Sequence, residues 1–322
     1  MRVAVLSGGR SSEHEISLRS GESVARGLEA AGHDALRVTI SREGAWSHEG
    51  APVRLVPGEG LLGAEAAFPA LHGPFGEDGS VQGLLEWLNL PYVGSDVLAS
   101  ATCMDKLTLK RLFAQAGVPQ VAFAGVGEEG WRERVAAMGL PLWVKPSRLG
   151  SSVGISRVGS LEELDPAVEL AARHDPRVIV EAHAGGREVE CSVLGNDAPD
   201  ASLPGEVVAH AEWYDFEAKY SEGGMELAVP APIPEEQAAR VQELAVRVFK
   251  LAGCAGLARC DFFADPGGGE VLVNEINTMP GFTETSVYAK LFEASGIPYA
   301  DLCNRLVALA VERHNRTRSY EF

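Results

Sequence analysis

The sequence has no long apolar run, and its few cysteines are not spaced to bind zinc. No apolar stretch approaches the roughly 20 residues that a membrane-spanning helix needs. The apolar run at residues 3–6 is too short for the core of a signal peptide. Five cysteines, an odd number without a CxxC pair, argue against both a disulfide framework and a zinc cluster. We therefore expect a soluble, cytoplasmic protein without a targeting segment.

Positive charge is also scarce. The 322-residue chain has 28 Lys and Arg against 45 Asp and Glu, which gives a formal net charge of −17. Such a charge repels the phosphates of nucleic acids and of anionic membranes, so we expect neither as a partner. Lysine is the rarer cation: there are six lysines and 22 arginines. A lysine that falls within a motif is therefore informative, because a compact ammonium and a planar guanidinium are not interchangeable.

Two common phosphate-binding motifs are missing. No Gly-Lys-Ser/Thr sequence occurs, which excludes a Walker A loop. Ser7-Gly8-Gly9 follows a predicted strand but lacks the G-x-G-x-x-G spacing of a dinucleotide site. A dehydrogenase built on the N-terminal sheet is therefore disfavoured.

The pattern of apolar residues predicts an α/β and α+β protein in three parts. Predicted strands and helices alternate near the N-terminus, which is typical of a parallel sheet with helices on its faces. We expect an N-terminal α/β domain over 1–100, a central α+β subdomain over 101–185 and a C-terminal subdomain over 186–322. Within the last part, 211–226 reads as a polar loop.

The loop at 147–154 is a candidate phosphate site. It follows a predicted strand that carries Lys145, and it contains two glycines and three serines. Glycine lets backbone N–H groups converge on an anion, and serine adds hydroxyl donors. A flexible hairpin would have the same composition.

Four polar residues are expected on one face of a hairpin. The turn Asp265-Pro266-Gly267-Gly268-Gly269 separates strands predicted at 257–264 and 270–277, so that 264 faces 270 and 259 faces 275. Alternation along strands then places four side chains on the same face: Arg259, Asp261, Glu275 and Asn277. Two carboxylates and an amide oxygen are suited to Mg²⁺ rather than to zinc. A salt-bridged edge hairpin around Arg259 is the alternative. Together with the loop at 147–154, the metal interpretation predicts a nucleoside triphosphate site.

These residues occur within longer segments that resemble the D-alanine–D-alanine ligase family of ATP-grasp enzymes. The resemblance extends from residue 3 to about residue 310 in the same order. Its segments are Ser12-Glu13-His14-Glu15-Ile16-Ser17, 71–79, 92–95, Met104-Asp105-Lys106, 144–154, 214–220, Arg259-Cys260-Asp261 and 274–283.

The resemblance implies a Rossmann-like N-terminal domain followed by a two-part ATP-grasp fold. It also implies a reaction in which ATP and two D-alanine molecules give ADP, phosphate and D-alanyl-D-alanine, a precursor of peptidoglycan. The first carboxylate would be phosphorylated, and the amine of the second D-alanine would displace the phosphate. The expected cofactors are two Mg²⁺, replaceable by Mn²⁺, and a monovalent cation. The expected assembly is a homodimer.

The resemblance also assigns roles to individual residues. Glu15, near His72, would pair with the ammonium of the first D-alanine, and Ser286 would bind the second carboxylate. Arg259 and the N–H of Gly281 would stabilise the tetrahedral intermediate. Asp261, Glu275 and Asn277 would hold the metals. The expected nucleotide contacts are Lys106, Lys145, Ser151, Ser152 and Lys219 for the phosphates, and Glu181 and Glu188 for the adenine and ribose.

The loop at 211–226 would be a lid over the site. Tyr220 within it would contact Ser151, and Ser151 would contact Glu15. Two alternatives stay open: a ligase that forms a depsipeptide from D-alanine and a hydroxy acid, and a nucleotide-binding regulator without activity. A phenylalanine in place of Tyr220 would favour the first, and a complete metal set with Arg259 argues against the second.

Overall fold

The computed structural model describes residues 1–150, 153–209 and 225–320. The described helices are α1 (His14–Ala30), α2 (Ser80–Trp87), α3 (Val97–Met104), α4 (Lys106–Gln115), α5 (Trp131–Met138), α6 (Leu164–Ala172), α7 (Glu235–Leu251), α8 (Val287–Ala294) and α9 (Tyr299–Arg318). None of the described helices is long and apolar enough to cross a membrane.

The described strands form three sheets. The strands are β1 (Arg2–Gly8), β2 (Asp34–Ile40), β3 (Trp46–His48), β4 (Ala51–Pro52), β5 (Ala66–Pro69), β6 (Phe123–Gly125), β7 (Leu142–Pro146), β8 (Ser156–Val158), β9 (Val178–Ala182), β10 (Arg187–Gly195), β11 (Asp200–Ala201), β12 (Gly205–Ala209), β13 (Met225–Ala228), β14 (Gly256–Ala264) and β15 (Val271–Asn277). Each sheet lies within one of the three predicted parts of the chain, whose boundaries stay a prediction.

The N-terminal sheet has the order β4-β3-β2-β1-β5. Its central strand β1 pairs in parallel with β2 and with β5, as the alternation of strands and helices predicts. Residues 3–6 of β1 are fully buried because neighbouring strands and α1 cover them. The β3–β4 hairpin, which was not predicted, adds two antiparallel edge strands.

The other two sheets are antiparallel. The central sheet has the order β6-β9-β7-β8, and the C-terminal sheet has the order β13-β12-β10-β14-β15 with β11 beside β10. Mixed parallel and antiparallel sheets agree with the predicted combination of α/β and α+β folds.

Two core clusters join distant parts of the chain. Helix α9 packs against β5 and α1, α8 packs against β10 and α9, and Phe282 contacts Phe68 in a tilted arrangement with ring centroids 5.2 Å apart. Leu109 and Phe113 of α4 pack into the core of the C-terminal sheet instead of the central one. Helix α3 ends at Met104 and Asp105 is the N-cap of α4, where its side chain accepts a hydrogen bond from Thr108 N–H.

The β14–β15 hairpin has a different register from the predicted one. Arg259 lies opposite Asn277 and Asp261 lies opposite Glu275, whereas 259 was expected to face 275. The connecting loop has six residues instead of five, and a bulge adds Asn274 to β15. The loop and the bulge together shift the pairing by two residues, so the four polar side chains still share one face.

Candidate active site

A cleft of about 1050 Å³ lies between the N-terminal end of α1, the hairpin β14–β15 and the start of α8. It is the larger of the two main cavities in the described part of the chain. Nine predicted site residues line it: His72, Lys106, Glu188, Arg259, Asp261, Glu275, Asn277, Gly281 and Ser286. The fold therefore brings together residues separated by more than 200 positions in the sequence.

The polar wall of the cleft is one face of the C-terminal sheet. The opposite face carries Cys260, Phe262 and Ile276, which are buried in the apolar core beneath α7. Because side chains alternate along a strand, burial of these residues turns Arg259 and Asp261 towards the cleft. Glu190 of β10 lies opposite Asp261 and extends the same polar face.

Arg259 is the centre of an ionic network on this wall. Its Nε and Nη2 donate to the two oxygens of Asp261 at 2.7 and 2.8 Å, and its Nε lies 2.9 Å from Glu190 Oε2. Asn277 Nδ2 donates to Asp261 Oδ2 at 3.0 Å. Burial would lower the pKa of Arg259, but Asp261 and Glu190 outweigh it and raise the pKa further above its usual range. The guanidinium is therefore a fixed positive charge in the cleft.

The carboxylates on this wall fit a magnesium site that is completed by a bound phosphate. Asp261, Glu275 and Asn277 offer oxygen donors, and Mg²⁺ in nucleotide sites commonly takes one or two carboxylates together with phosphate oxygens and waters. Within residues 1–150, 153–209 and 225–320, no group of three or more His, Cys, Asp and Glu is arranged to hold a metal ion. Two carboxylates and an amide oxygen are donors of the kind that Mg²⁺ takes when it arrives with a nucleotide.

Of three lysines that approach Glu275 or Glu181, only Lys106 lines the cleft. Lys106 Nζ lies 3.5 Å from Glu275 Oε2 and donates to the carbonyl of Leu149 at 3.0 Å. Lys145 Nζ donates to Glu181 Oε2 at 2.6 Å, and Lys110 Nζ lies 3.2 Å from Glu181 Oε1. Burial would raise the pKa of Glu181, but Lys110 and Lys145 outweigh it and lower that pKa to about 2. Glu181 and Lys145 do not line the cleft, and both oxygens of Glu181 face ammonium groups.

His72 links the two ends of the chain. Its Nδ1 lies 3.0 Å from the carbonyl oxygen of Met279, so this nitrogen carries the proton and donates it. Its Nε2 then accepts from the hydroxyl of Ser20 at 2.8 Å. Burial lowers the pKa of His72, although the neighbouring Glu13 opposes the shift. The imidazole is therefore a neutral group with both nitrogens bonded within the protein.

The structure corrects the assignment of Glu15. Its side chain points away from the cleft, is 72% exposed and bonds to Arg42 at 2.9 Å. Glu13, two residues earlier, is buried and lines the cleft. The physical reason is that α1 begins at His14, so Glu13 is the N-cap residue, whereas Glu15 lies on the outer side of the first turn. The acidic residue beside His72 is therefore Glu13.

Glu13 lies close to two glycines, Gly73 and Gly150. A Cβ added to Gly73 would lie 2.5 Å from Glu13 Oε2, and one added to Gly150 would lie 3.8 Å from it. Gly73 also has a φ of +73°, which favours glycine. Gly150 immediately precedes Ser151, so the phosphate-loop candidate approaches Glu13 rather than Glu15.

Glu77 adds a second carboxyl group to this end of the cleft. Its Oε1 accepts a hydrogen bond from Gly73 N–H at 2.5 Å. Burial first and the charge of Glu13 second raise the pKa of Glu77 to about 8, against the opposing effect of Arg259. Burial and the neighbouring Glu13 therefore favour the protonated form of Glu77.

Ser286 stands at the start of α8, as predicted, and occupies the N-cap position. Its hydroxyl accepts from Thr283 N–H at 3.0 Å and lies 2.7 Å from Thr283 Oγ1, so it does not cap the helix. A Cβ added to Gly281 would contact Ser286 Oγ at 3.4 Å. The first turn of α8 and the hydroxyl therefore face the same part of the cleft, where an anion is favoured.

Several predicted residues lie outside the described part of the chain. They are Ser151, Ser152, Lys219 and Tyr220, together with nearly all of the proposed lid at 211–226.

Four residues at or beside the cleft were not found from the sequence: Glu13, Glu77, Lys110 and Glu190. Glu190 could have been found, because it alternates with Val189 and Cys191, whose burial turns it to the polar face. Glu77 lies in the glycine-rich segment 73–79 after His72. Lys110 has no such signal, because a lysine inside a helix is usually exposed.

Comparisons with known proteins identify the same family along most of the chain. The family model described as D-ala D-ala ligase N-terminus matches residues 2–60 and 58–95. The family model described as D-ala D-ala ligase C-terminus matches residues 112–308.

Relatives of known name are similar over their full length. The D-alanine–D-alanine ligase of Deinococcus radiodurans is 48% identical over 334 residues, covering 97% of this chain and 98% of the relative. The D-alanine–D-alanine ligase of Solibacter usitatus is 43% identical over 325 residues, covering 100% of this chain and 99% of the relative.

Solved structures show the same fold. The D-alanine–D-alanine ligase from Coxiella burnetii superposes with a TM-score of 0.89 at 38% identity, covering 99% of this chain and 96% of that one. The VanG D-Ala:D-Ser ligase from Enterococcus faecalis superposes with a TM-score of 0.86 at 34% identity, covering 96% and 99%.

Proposed function

The chain belongs to the D-alanine–D-alanine ligase family, and we propose that its cleft joins two D-alanine molecules in a reaction driven by ATP. It is a ligase of the ATP-grasp fold that uses ATP and contributes to peptidoglycan synthesis. The γ-phosphoryl group of ATP passes to the carboxylate of the first D-alanine. The amine of the second D-alanine then attacks the acyl phosphate, and phosphate leaves. The proposal includes a cytoplasmic location, where ATP is available.

One observation carries the proposal for the chemical step. Arg259, held by Asp261 and Glu190, projects from the same sheet face as Glu275 and Asn277. A site that only bound nucleotide would need phosphate and metal contacts, but it would not need a buried guanidinium beyond them. Arg259 and the N–H of Gly281 are suited to stabilise the oxyanion of a tetrahedral intermediate.

Glu13 takes the role that the sequence assigned to Glu15. Its carboxylate lies beside Gly73 at the His72 end of the cleft and pairs with the ammonium of the first D-alanine. His72 holds the loop in place through Met279 and Ser20. At the other end of the substrate site, Ser286 and the first turn of α8 receive the carboxylate of the second D-alanine.

The nucleotide lies along the lysines and the hairpin. Lys106 and Lys145 contact the phosphates, with Ser151, Ser152 and Lys219 as further contacts, and Glu188 binds the ribose. Asp261, Glu275 and Asn277 would hold two Mg²⁺, which would neutralise charge on the phosphates. A monovalent cation and a homodimer belong to the same proposal. Residues 211–226, nearly all of which lie outside the described part of the chain, would serve as a lid that keeps water from the acyl phosphate.

The decisive experiment measures ADP release with D-alanine, L-alanine, D-lactate or D-serine as the added substrate, together with the mass of the product. We expect ADP release and a dipeptide with D-alanine alone, and none with L-alanine alone. A mixed product from D-alanine and D-lactate, in preference to the dipeptide, would assign a depsipeptide ligase. ADP binding without D-alanine-dependent ADP release would contradict ligase activity and favour a regulator.

A further inference from the structure

We propose that Lys110 is a positioning residue that acts through the buried carboxylate of Glu181 to keep Lys145 available for the phosphates of ATP. This inference rests on the proposed function, because the role of Lys145 in phosphate binding is part of it. Lys110 itself does not line the described cleft.

The three groups form a buried chain of charges. The side chains of Lys110 and Glu181 are 2% and 3% exposed, and that of Lys145 is 14% exposed. Glu181 Oε1 lies 3.2 Å from Lys110 Nζ, and Glu181 Oε2 accepts from Lys145 Nζ at 2.6 Å. Two ammonium groups thus share one carboxylate.

The arrangement has an electrostatic consequence. With Lys145 alone as its neighbour, Glu181 would form a neutral pair and cancel the charge that Lys145 offers to a phosphate. Lys110 lies beside the second oxygen of Glu181 and balances the negative charge of this carboxylate. The three side chains together therefore keep an excess of one positive charge. Lys145 is the most exposed member, so the excess charge is presented there.

The pKa shifts of Glu181 and Lys145 agree with this geometry, whereas burial lowers the pKa of Lys110 and the charge of Glu181 opposes that shift. Burial would raise the pKa of Glu181, but the two lysines lower it to about 2, so the carboxylate stays ionised. Burial would lower the pKa of Lys145, but Glu181 outweighs burial and raises it. The negative charges of Glu275 and Glu188 also raise the pKa of Lys145. Lys145 is therefore a charged ammonium at neutral pH.

Lys110 also connects two parts of the molecule. It belongs to α4, which packs into the core of the C-terminal sheet, whereas Glu181 and Lys145 belong to the central sheet. One turn before Lys110 on the same helix, Lys106 approaches Glu275 of the hairpin. Helix α4 thus carries two ammonium groups. That of Lys106 lies beside Glu275, a predicted metal ligand, and that of Lys110 lies beside Glu181, which binds Lys145. We infer that α4 sets the spacing between the two halves of the nucleotide site.

The N-terminal end of α4 is hydrogen-bonded to Ser147, the residue that follows β7. Asp105 accepts from Ser147 Oγ at 2.8 Å, and Leu107 N–H donates to Ser147 Oγ at 3.0 Å. Ser147 follows Lys145 by two residues, at the end of β7. The helix and the strand that carry the two lysines are therefore joined at a second point.

The test measures the dissociation constant of ADP with Mg²⁺ by calorimetry, in the absence of D-alanine, for the full chain. Lys110→Met keeps the length and the apolar stem of the side chain but removes the charge. We expect ADP to bind at least about tenfold more weakly, which matches a loss of about 1.4 kcal/mol. The KM for D-alanine should change less than twofold. Arg111→Met, on the exposed side of the same helix, is the matched control and should bind ADP as the wild type does.

A double-mutant cycle separates positioning from direct contact and from general damage. If Lys110 acts through Glu181, adding Lys110→Met to Glu181→Gln should weaken ADP binding no further than Glu181→Gln alone does, because no carboxylate is left to balance. If Lys110→Met costs as much in the Glu181→Gln background as in the wild type, Lys110 acts independently of Glu181 and the proposal is wrong. Lys110→Arg, which keeps the charge in a larger group, should bind ADP within about threefold of the wild type, given how modestly a retained ion pair changes affinity.

If Lys110 contributed only to packing, Lys110→Met should bind ADP more tightly than Lys110→Arg, because methionine fits the buried space better than arginine does. If Lys110→Met does not fold, Lys110→Arg still decides: loss of ADP binding by a folded Lys110→Arg would overturn the proposal. The binding assay needs no turnover. A wild type that binds ADP but makes no dipeptide would therefore contradict the ligase function and leave this inference standing. Absence of ADP binding by the wild type would overturn both.

Discussion

Glu13 and Gly73 are in such close contact that a Cβ on Gly73 would lie 2.5 Å from Glu13 Oε2. The glycine is what allows the carboxylate to reach the cleft at the N-terminal end of α1. Glu15, two residues along, is about 200° away around a helix axis, and it contacts Arg42 instead. Of the two neighbouring glutamates, Glu13 therefore lines the cleft and Glu15 does not.

The first prediction compares these two glutamates. Glu13→Gln should raise the KM for the first D-alanine at least about tenfold, because an ammonium loses its charged partner in a buried site. Glu15→Gln is the matched control and should leave KM and kcat within about twofold, because exposed ion pairs contribute little. Steady-state kinetics in D-alanine at saturating ATP would check both. The reverse order of effects would restore the assignment to Glu15.

The second prediction concerns Gly73. Gly73→Ala should weaken D-alanine binding, because the added methyl group displaces Glu13 and because a φ of +73° is strained for alanine. Gly127→Ala is the control, since Gly127 has a φ of +86° but open space around its Cβ position. Both variants should lose about 1 kcal/mol of stability from backbone strain. An equal KM for D-alanine in the two variants would mean that the contact with Glu13 does not matter.

The hairpin shows what could and could not be predicted from the sequence. Alternation of polar and apolar residues fixes which side chains share a face, and Arg259, Asp261, Glu275 and Asn277 do so. The register was wrong by two residues, because a bulge at Asn274 and one more loop residue have no signature in the side-chain pattern. The four side chains still share one face because a shift of two residues preserves the alternation of side chains along a strand.

Other parts of the site depend on contacts between distant segments. The burial of Lys110 results from the packing of α4 against two sheets, and a sequence pattern does not show a charge that is balanced by a residue 71 positions away. The choice of Glu13 over Glu15 depends on where α1 begins, and helix ends are the least predictable part of an element.

The third prediction concerns magnesium. Glu275→Gln and Asn277→Ala should each raise the Mg²⁺ concentration that gives half-maximal ADP release, by at least about tenfold for Glu275→Gln. The glutamate should matter more, because its charge offsets that of the ions. Glu270→Gln, at the exposed end of the same hairpin, is the control for charge removal. Unchanged Mg²⁺ titrations for both site variants would make the hairpin face a structural ion-pair network around Arg259.

The fourth prediction uses the raised pKa of Glu77, which burial and Glu13 bring to about 8. In the unfolded chain this carboxyl titrates near its ordinary value of 4.5, so the folded protein holds the proton more tightly. The resulting stability is fully present below pH 4.5 and is lost as the pH rises through about 8. Glu77→Gln mimics the protonated form at every pH, so it should gain stability relative to the wild type between pH 5 and 8, by at most about 1.4 kcal/mol per pH unit. Thermal unfolding midpoints of the wild type, Glu77→Gln and the exposed control Glu270→Gln across this range would measure the difference. A constant difference between Glu77→Gln and the wild type would mean that Glu77 is ionised in the folded protein across this pH range.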